Sequence, residues 1–483
     1  MGTLRIAFVS SEVAPWSKTG GLGDVGGALP RALRDQEDLE LAVFTPLYRS
    51  ARQVIEKRGL TLEPVGEPVQ TAGGPARFLE LRGDDGPRTL FFDAPHLFDR
   101  AGIYGPASTD AYTDAGKGAF DDNLERFAAF CEAVVAQMDG LLGGRVDALH
   151  LHDWQAALGV ALVGADTPTI LTIHNLAYQG AFPVQTPAGH DLDDSWRSHG
   201  YLNLLHGAIA NATVVSTVSP TYAKEITTPE FGCGLDGLLQ WRGVTGILNG
   251  IDERSWDPSV DPELAANFSA EDRAGRAACR RALLAEFSLP DEPGTLLLGV
   301  VSRLAGQKAP ELIVELVPRL GSLRSRLVLL GSGDKAIEAQ LAEQTGRFYL
   351  RLGTHLGFDA ALARRIYAGV DAVLVPSRFE PCGLVQLYAM RYGAVPIASA
   401  VGGLVDTVED PGDDALAAGE GTGVLMDSVT SDGLATAVAR AADLYRDHPE
   451  AWSQIQQRGM ARDWSWAASA AEWAALYRRV AAG

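Results

Sequence analysis

Three glycine-bearing segments, each read as lying between a strand and a helix, carry the residues best suited to hold an anion. Ser17-Lys-Thr-Gly-Gly-Leu-Gly-Asp24 places Lys18 before Gly20 and Gly21, with Asp24 after them. Glycines there let backbone N–H groups approach a phosphate, and the positive end of the following helix favours the charge. A tight strand-to-helix turn is the competing reading, because the segment is neither a G-x-G-x-x-G nor a P-loop. Pro376-Ser-Arg-Phe-Glu-Pro-Cys-Gly-Leu384 sets the Glu380 carboxylate beside Cys382, Gly383 and Leu384. A helix predicted to open at Gly383 would leave amides for phosphate and the carboxylate for sugar hydroxyls. Val401-Gly-Gly-Leu404 repeats the pattern. The loop Ser302 to Lys308 offers Arg303 as a fork and Lys308 as a point charge for a diphosphate; a solvated surface loop is the alternative.

Histidines form a second group. In His150-Leu-His-Asp-Trp154, alternation puts His150 and His152 on one face of a strand and Asp153 at its carboxyl mouth. A metal site lacks a third ligand nearby in sequence, so polar contacts are expected instead. His174-Asn175 ends another predicted strand, where site residues collect and structural histidines also occur. Asp191-Leu-Asp193, the one conspicuous Asp-x-Asp, has no strand before it and reads as loop.

Short apolar runs alternating with helical patterns position these groups and predict parallel sheets flanked by helices. Strands are expected at Leu4–Val9, Leu41–Thr45, Thr89–Phe92, Ala148–Leu151, Thr169–Ile173 and Ala212–Ser216. A second series begins with Leu296–Val301 and continues through Leu327–Leu330, Ala372–Val375 and Val395–Ala398. Helices are expected at Asn123–Met138, Glu271–Phe287 and Pro310–Leu320. The boundary falls near Asp252, giving domains 1–252 and 253–460 and a final segment 461–483. Two such domains would face one ligand across a cleft, with loops beyond the carboxyl ends of their strands. In 483 residues, 61 Asp and Glu against 41 Lys and Arg leave a charge of −20, which disfavours nucleic acid and anionic membrane surfaces. The start carries no signal-like apolar region, no run is long enough to span a membrane, and the four cysteines form no Cys-x-x-Cys. A cytoplasmic, metal-poor protein is expected.

In order, the segments resemble the bacterial glycogen synthases, a family close to the plant starch synthases. The matching pieces are Lys18-Thr-Gly-Gly-Leu22 with Asp24, His150-x-His-Asp-Trp154, His174-Asn-Leu-Ala-Tyr-Gln-Gly180 and Leu248-Asn-Gly-Ile-Asp252. Ser302-Arg-Leu304 with Gln307-Lys308, Ser377-Arg-Phe-Glu-Pro-Cys-Gly-Leu384, Gly402-Gly-Leu404 and Asp463-Trp-Ser-Trp466 complete the set. The resemblance implies an α/β glycosyltransferase B fold of two Rossmann-like domains, the last helices crossing back to the first. It implies retaining transfer of glucose from ADP-glucose to the non-reducing 4-hydroxyl of an α-1,4-glucan such as glycogen, without metal or cofactor. On that alignment Arg303 and Lys308 hold the diphosphate, approached by Lys18, Gly20 and Gly21, with the amides of Gly383 and Leu384 beside Cys382. Glu380 binds hydroxyls of the donor glucose; Asp153, His174 and Asn249 line the sugar pocket; Asp24 lies towards donor and acceptor. The His174 backbone carbonyl assists the cationic sugar, and Tyr104 closes over the site.

Two positions depart from the family pattern. Val385 stands where many relatives carry Thr, and Phe358-Asp-Ala360 replaces a Tyr-His-Glu stretch near the nucleobase. Stacking survives on Phe358, while the lost polar groups keep UDP-glucose open as donor. Same-fold alternatives are a transferase with a small acceptor, a 2-epimerase and a phosphorylase, the last without the lysine context for its cofactor. A non-catalytic sugar-nucleotide binder is the alternative from another class.

Overall fold

The computed structural model describes residues 3–106, 118–184 and 192–482. Asp191 lies outside the described residues, whereas Asp193 caps a short 3-10 turn, its Oδ1 accepting from the Ser195 amide at 2.8 Å. The chain divides into two compact units, one of residues 1–250 with 466–483 and one of residues 251–465. The returning piece therefore begins at Trp466, and the helix Pro449–Ala461 stays with the second unit. Asp463 separates the two last helices by accepting the Ser465 amide at 2.9 Å, a turn that neither helix can continue through.

In the first unit the described residues form a nine-stranded sheet. Its order is Thr245–Gly246, Val214–Thr217, Thr169–Ile173, Ala148–His152, Leu4–Val9, Leu39–Pro46, Arg88–Asp93, Gly74–Arg82 and Thr61–Thr71. The first seven run parallel. Their near-continuous apolar character follows from burial on both faces, as in Ile6–Val9. Leu4–Val9 pairs with Leu39–Pro46 on one side and Ala148–His152 on the other, the point where strand order reverses. The loops leaving Val9 and His152 therefore start side by side at the carboxyl edge, where such sheets bind ligands.

The outer strands Thr61–Thr71 and Gly74–Arg82 add antiparallel to Arg88–Asp93, and the sequence reading contains neither. Pro64, Gly66 and Pro68 read as breakers. They are tolerated because this strand is the sheet edge and its register shifts between Val65 and Val69. The final helix Trp466–Ala481 packs through Trp473 and Tyr477 with Phe8, Val25 and Leu29, covering one face of the sheet together with the helix Gly21–Leu33.

The second unit carries a six-stranded all-parallel sheet in the order Leu352–Leu356, Ser325–Gly331, Leu296–Val301, Ala372–Val375, Val395–Ser399 and Val424–Met426. Its order also reverses at the first strand of the unit, between Leu296–Val301 and Ala372–Val375. The loops carrying Arg303 and Glu380 thus leave neighbouring strand ends.

Candidate active site

In the first unit the organising residue is Glu12, which the sequence reading did not single out. It is fully buried just after the first strand. Its Oε2 accepts the amides of Thr19 at 2.5 Å and Gly20 at 3.2 Å. Its Oε1 accepts the hydroxyls of Thr19 and Tyr104, each at 2.7 Å. The first amides of the glycine loop therefore face the protein, contrary to the expectation that Gly20 offers its N–H outward. The amides of Gly21 and Leu22, at the start of the helix, bond to no group among the described residues and keep the anion-facing geometry.

Lys18 Nζ lies 2.6 Å from Asp24 Oδ1 on the loop's outer side. Burial pushes the Asp24 carboxyl above its ordinary range, partly offset by that ammonium. The helix Gly21–Leu33 lies close against the Glu12–Ala14 backbone, since a Cβ at Gly26 or Gly27 would overlap the carbonyl oxygens of Glu12 and Ala14.

Tyr104 is buried, and its hydroxyl also meets Ser11 Oγ at 2.8 Å. Its carbonyl accepts from Asn123 Nδ2 and from the Phe120 amide, both at 2.9 Å. The ring thus anchors the glycine loop from beneath. Burial and the Glu12 carboxylate hold its phenol well above the ordinary tyrosine value.

At the neighbouring strand end, Asp153 adopts φ 55°, a left-handed conformation costly for a residue with a Cβ and found where a site dictates the backbone. Its Oδ1 accepts the His174 amide at 2.6 Å, tying two strand ends together. His150 has both ring nitrogens engaged at 2.7 Å, Nδ1 with the Tyr477 hydroxyl and Nε2 with Thr172 Oγ1. His152 Nδ1 lies 2.9 Å from His174 Nε2. Burial pushes the pKa of His174 down to about 3 and those of His150 and His152 well below the ordinary histidine value. All three rings are neutral near pH 7. Among the described residues no group of three or more His, Cys, Asp or Glu is placed to share a metal ion. Asn249 is buried in the loop whose Leu248 carbonyl accepts from Ser469 on the last helix.

In the second unit, Lys308 and Glu380 meet in a buried ion pair. The sequence reading gave them separate partners, diphosphate and sugar; the fold joins them because their loops leave adjacent strands. Ser377 Oγ donates to the same Glu380 oxygen at 2.8 Å. Two staples fix the loops, the Arg378 amide to the Gln307 carbonyl at 2.9 Å and Gln307 Nε2 to the Phe379 carbonyl at 3.2 Å. Arg303 reaches Gln307 Oε1 at 3.4 Å. Val385, with Ser302, Lys308 and Ser377, lines a cavity of about 20 Å³, the room of one water.

Gly383 turns the chain at φ 75° into the helix Val385–Arg391, which opens two residues later than expected. The amides of Gly383 and Leu384 donate to no group among the described residues, whereas Gln386 Nε2 takes the carbonyls of Cys382 and Gly383 at 3.1 and 2.8 Å. The third glycine segment behaves differently from its expected phosphate-facing part. The Gly403 amide donates to the Glu380 carbonyl at 3.0 Å, and a Cβ there would overlap the Cys382 backbone. That segment braces the Glu380 loop. Phe358 is 89% exposed, and Asp359 behind it caps a helix through the Leu362 amide at 2.9 Å.

The chain is similar to known proteins along its whole length. Residues 5–241 match the starch synthase catalytic domain model, and residues 295–443 match that of glycosyl transferases group 1. Glycogen synthase of Anaeromyxobacter dehalogenans is 44% identical, covering 99% of this chain and 100% of the relative. That of Granulibacter bethesdensis is 42% identical, covering 99% of each. Among solved structures, the catalytic domain of starch synthase IV from Arabidopsis thaliana, bound to ADP and acarbose, superposes with a TM-score of 0.86 at 30% identity, covering both chains fully. Sucrose-phosphate synthase from Thermosynechococcus elongatus shares the fold at 19% identity, with a TM-score of 0.59 and 99% of each chain covered. With a parallel sheet and a reversal point in each unit, the fold is the α/β glycosyltransferase B fold, and the chain belongs to the glycogen and starch synthase family of glycosyltransferases.

Proposed function

We propose that the protein transfers glucose from ADP-glucose to the non-reducing 4-hydroxyl of an α-1,4-glucan, glycogen being the acceptor, with retention of configuration. The observation that carries this reading is the paired Lys308 and Glu380 beside the unbonded amides of Gly383 and Leu384, in a chain 30% identical to a starch synthase solved with ADP. Arg303, Lys308 and those amides take the diphosphate, joined by Lys18 and by Gly21 of the glycine loop. Glu380, Asp153, His174 and Asn249 take the glucosyl unit, Asp24 lies towards donor and acceptor, and Phe358 stacks on the base. Tyr104, Gly20 and Cys382 act through the shape of their loops.

In the reaction the anomeric C–O bond breaks and its electron pair goes to the diphosphate oxygen. The acceptor oxygen attacks the same face of the sugar, and its proton passes to the departing phosphate. Charge grows on that phosphate, where cations and preset amides stabilise it; one such donor is worth about 3 kcal/mol. The His174 carbonyl faces the positive charge developing on the sugar. The reading needs no metal or cofactor, because these groups meet the charge themselves. It also places the protein in the cytoplasm with its nucleotide-sugar donor; no helix among the described residues is long and apolar enough to cross a membrane.

The test compares nucleotide release from ADP-glucose and UDP-glucose with glycogen as primer. Faster primer-dependent release from ADP-glucose is expected. Equal rates, or preference for UDP-glucose, would overturn the donor assignment.

A further inference from the structure

The reaction above places His174 in the sugar pocket and employs its backbone carbonyl, but it does not determine which nitrogen of its ring carries the proton. Among the described residues that ring has one hydrogen-bond partner: Nε2 stands 2.9 Å from His152 Nδ1, and no described residue bonds its Nδ1. His152 is fully buried, and its own Nε2 has no hydrogen-bond partner among the described residues. Its plane is clamped between Phe8 and His150, each with ring centroids 4.1 Å away, and His150 is itself pinned at both nitrogens.

Two neutral rings in contact must share one proton between them, and the unpartnered nitrogen decides which ring gives it. If His174 Nε2 donated, His152 would carry its proton on Nε2, a buried N–H without an acceptor, which folded proteins almost never retain. If His152 Nδ1 donates, its Nε2 is a bare lone pair, the more tolerable orphan, and His174 must hold its proton on Nδ1. We propose that His152 is a positioning residue that fixes His174 as the Nδ1–H tautomer, so that the ring presents a hydrogen-bond donor to an acceptor oxygen of the glucosyl unit. The relevance to sugar binding rests on the placement of His174 in the sugar pocket; the tautomer itself does not.

The experiment is long-range 1H–15N correlation of the full chain labelled at its nine histidines, with His174 assigned by loss of its signals in His174→Gln. The expected ligand-free spectrum shows His174 protonated on Nδ1. In His152→Leu the donor is gone and the Nδ1–H signature is replaced by Nε2–H or a mixture. In His152→Asn, whose amide nitrogen occupies the Nδ1 position, it returns. kcat/KM with ADP-glucose falls about tenfold in the Leu variant, the weight of one hydrogen bond, and partly recovers in the Asn variant. If His152→Leu does not fold, His152→Gln serves, since its amide reaches only the Nε2 position. An Nε2–H tautomer in the native chain overturns the proposal, as does an Nδ1–H tautomer unchanged by loss of the His152 donor. A chain inactive with every donor would refute the proposed reaction while leaving the tautomer result readable.

Discussion

The Lys308–Glu380 pair allows a quantitative test of the second half-site. The two side chains are 16% and 7% exposed, so neither charge is well hydrated, and among the described residues the Glu380 carboxylate accepts one further hydrogen bond, from the Ser377 hydroxyl. Replacing Lys308 by Met leaves a buried carboxylate without a counter-charge, a loss that typically costs about 3–5 kcal/mol. Glu380→Gln keeps the shape and lets the more exposed ammonium find water, at about 1–3 kcal/mol. The double variant contains neither orphan charge and should be more stable than the sum of the single effects allows, by about 2 kcal/mol. Hydrogen exchange read on the strand Ala372–Val375 and the helix Val385–Arg391 reports opening of this unit alone. Glu380→Gln also removes the anion that neutralises Lys308, so ADP should bind several-fold more tightly by calorimetry while sugar transfer falls. Additive stabilities, or weaker ADP binding in Glu380→Gln, would refute the reasoning.

Glu12→Met should raise the KM for ADP-glucose at least tenfold and lower stability by about 2 kcal/mol, because two backbone amides lose their acceptor. Glu12→Gln should be milder, since its oxygen can serve those amides while its NH2 donates to the two hydroxyls; equal damage from both variants, read by steady-state kinetics and urea unfolding, would contradict the arrangement. Gly403→Ala should reduce kcat strongly with little change in ADP affinity measured by calorimetry, as the overlap with Cys382 displaces the Glu380 loop. The histidines predict acid sensitivity. The folded pKa of His174, about 3, lies below its unfolded value of 6.5, so the unfolded chain binds the extra proton between them and stability falls as pH drops through that window. At pH 5 the loss is about 2 kcal/mol for His174, and His150 and His152, also held below the ordinary histidine value by burial, act in the same direction. Unfolding midpoints measured from pH 8 to 5 that do not fall would contradict neutral burial of the three rings.

Much of the fold was legible because parallel strands buried on both faces leave dense apolar runs, as at Leu4–Val9 and Leu296–Val301. The hairpin Thr61–Arg82 was not, because an exposed edge strand tolerates the prolines and glycines that signal loops. For the site, spacing located the loops but not the direction of their amides. Thr19 and Gly20 look as available to phosphate as Gly21 until Glu12 is seen beneath them, and Gly403 resembles Gly383 until its amide is found on the Glu380 carbonyl. Glu12 itself gave no periodic or charge signal; its position immediately after the first strand, at the reversal of strand order, was the available clue. The joining of Lys308 to Glu380 is a consequence of sheet order, which no local pattern encodes.

The most direct measurement is primer-dependent ADP release from ADP-glucose by the native chain, followed by NMR of the extended glucan. The account predicts ADP release only with an α-1,4-glucan present, collapse of that release in Lys308→Ala, and new α-1,4 linkages at non-reducing ends. Release without primer, full activity in Lys308→Ala, or a β-linked product would contradict it.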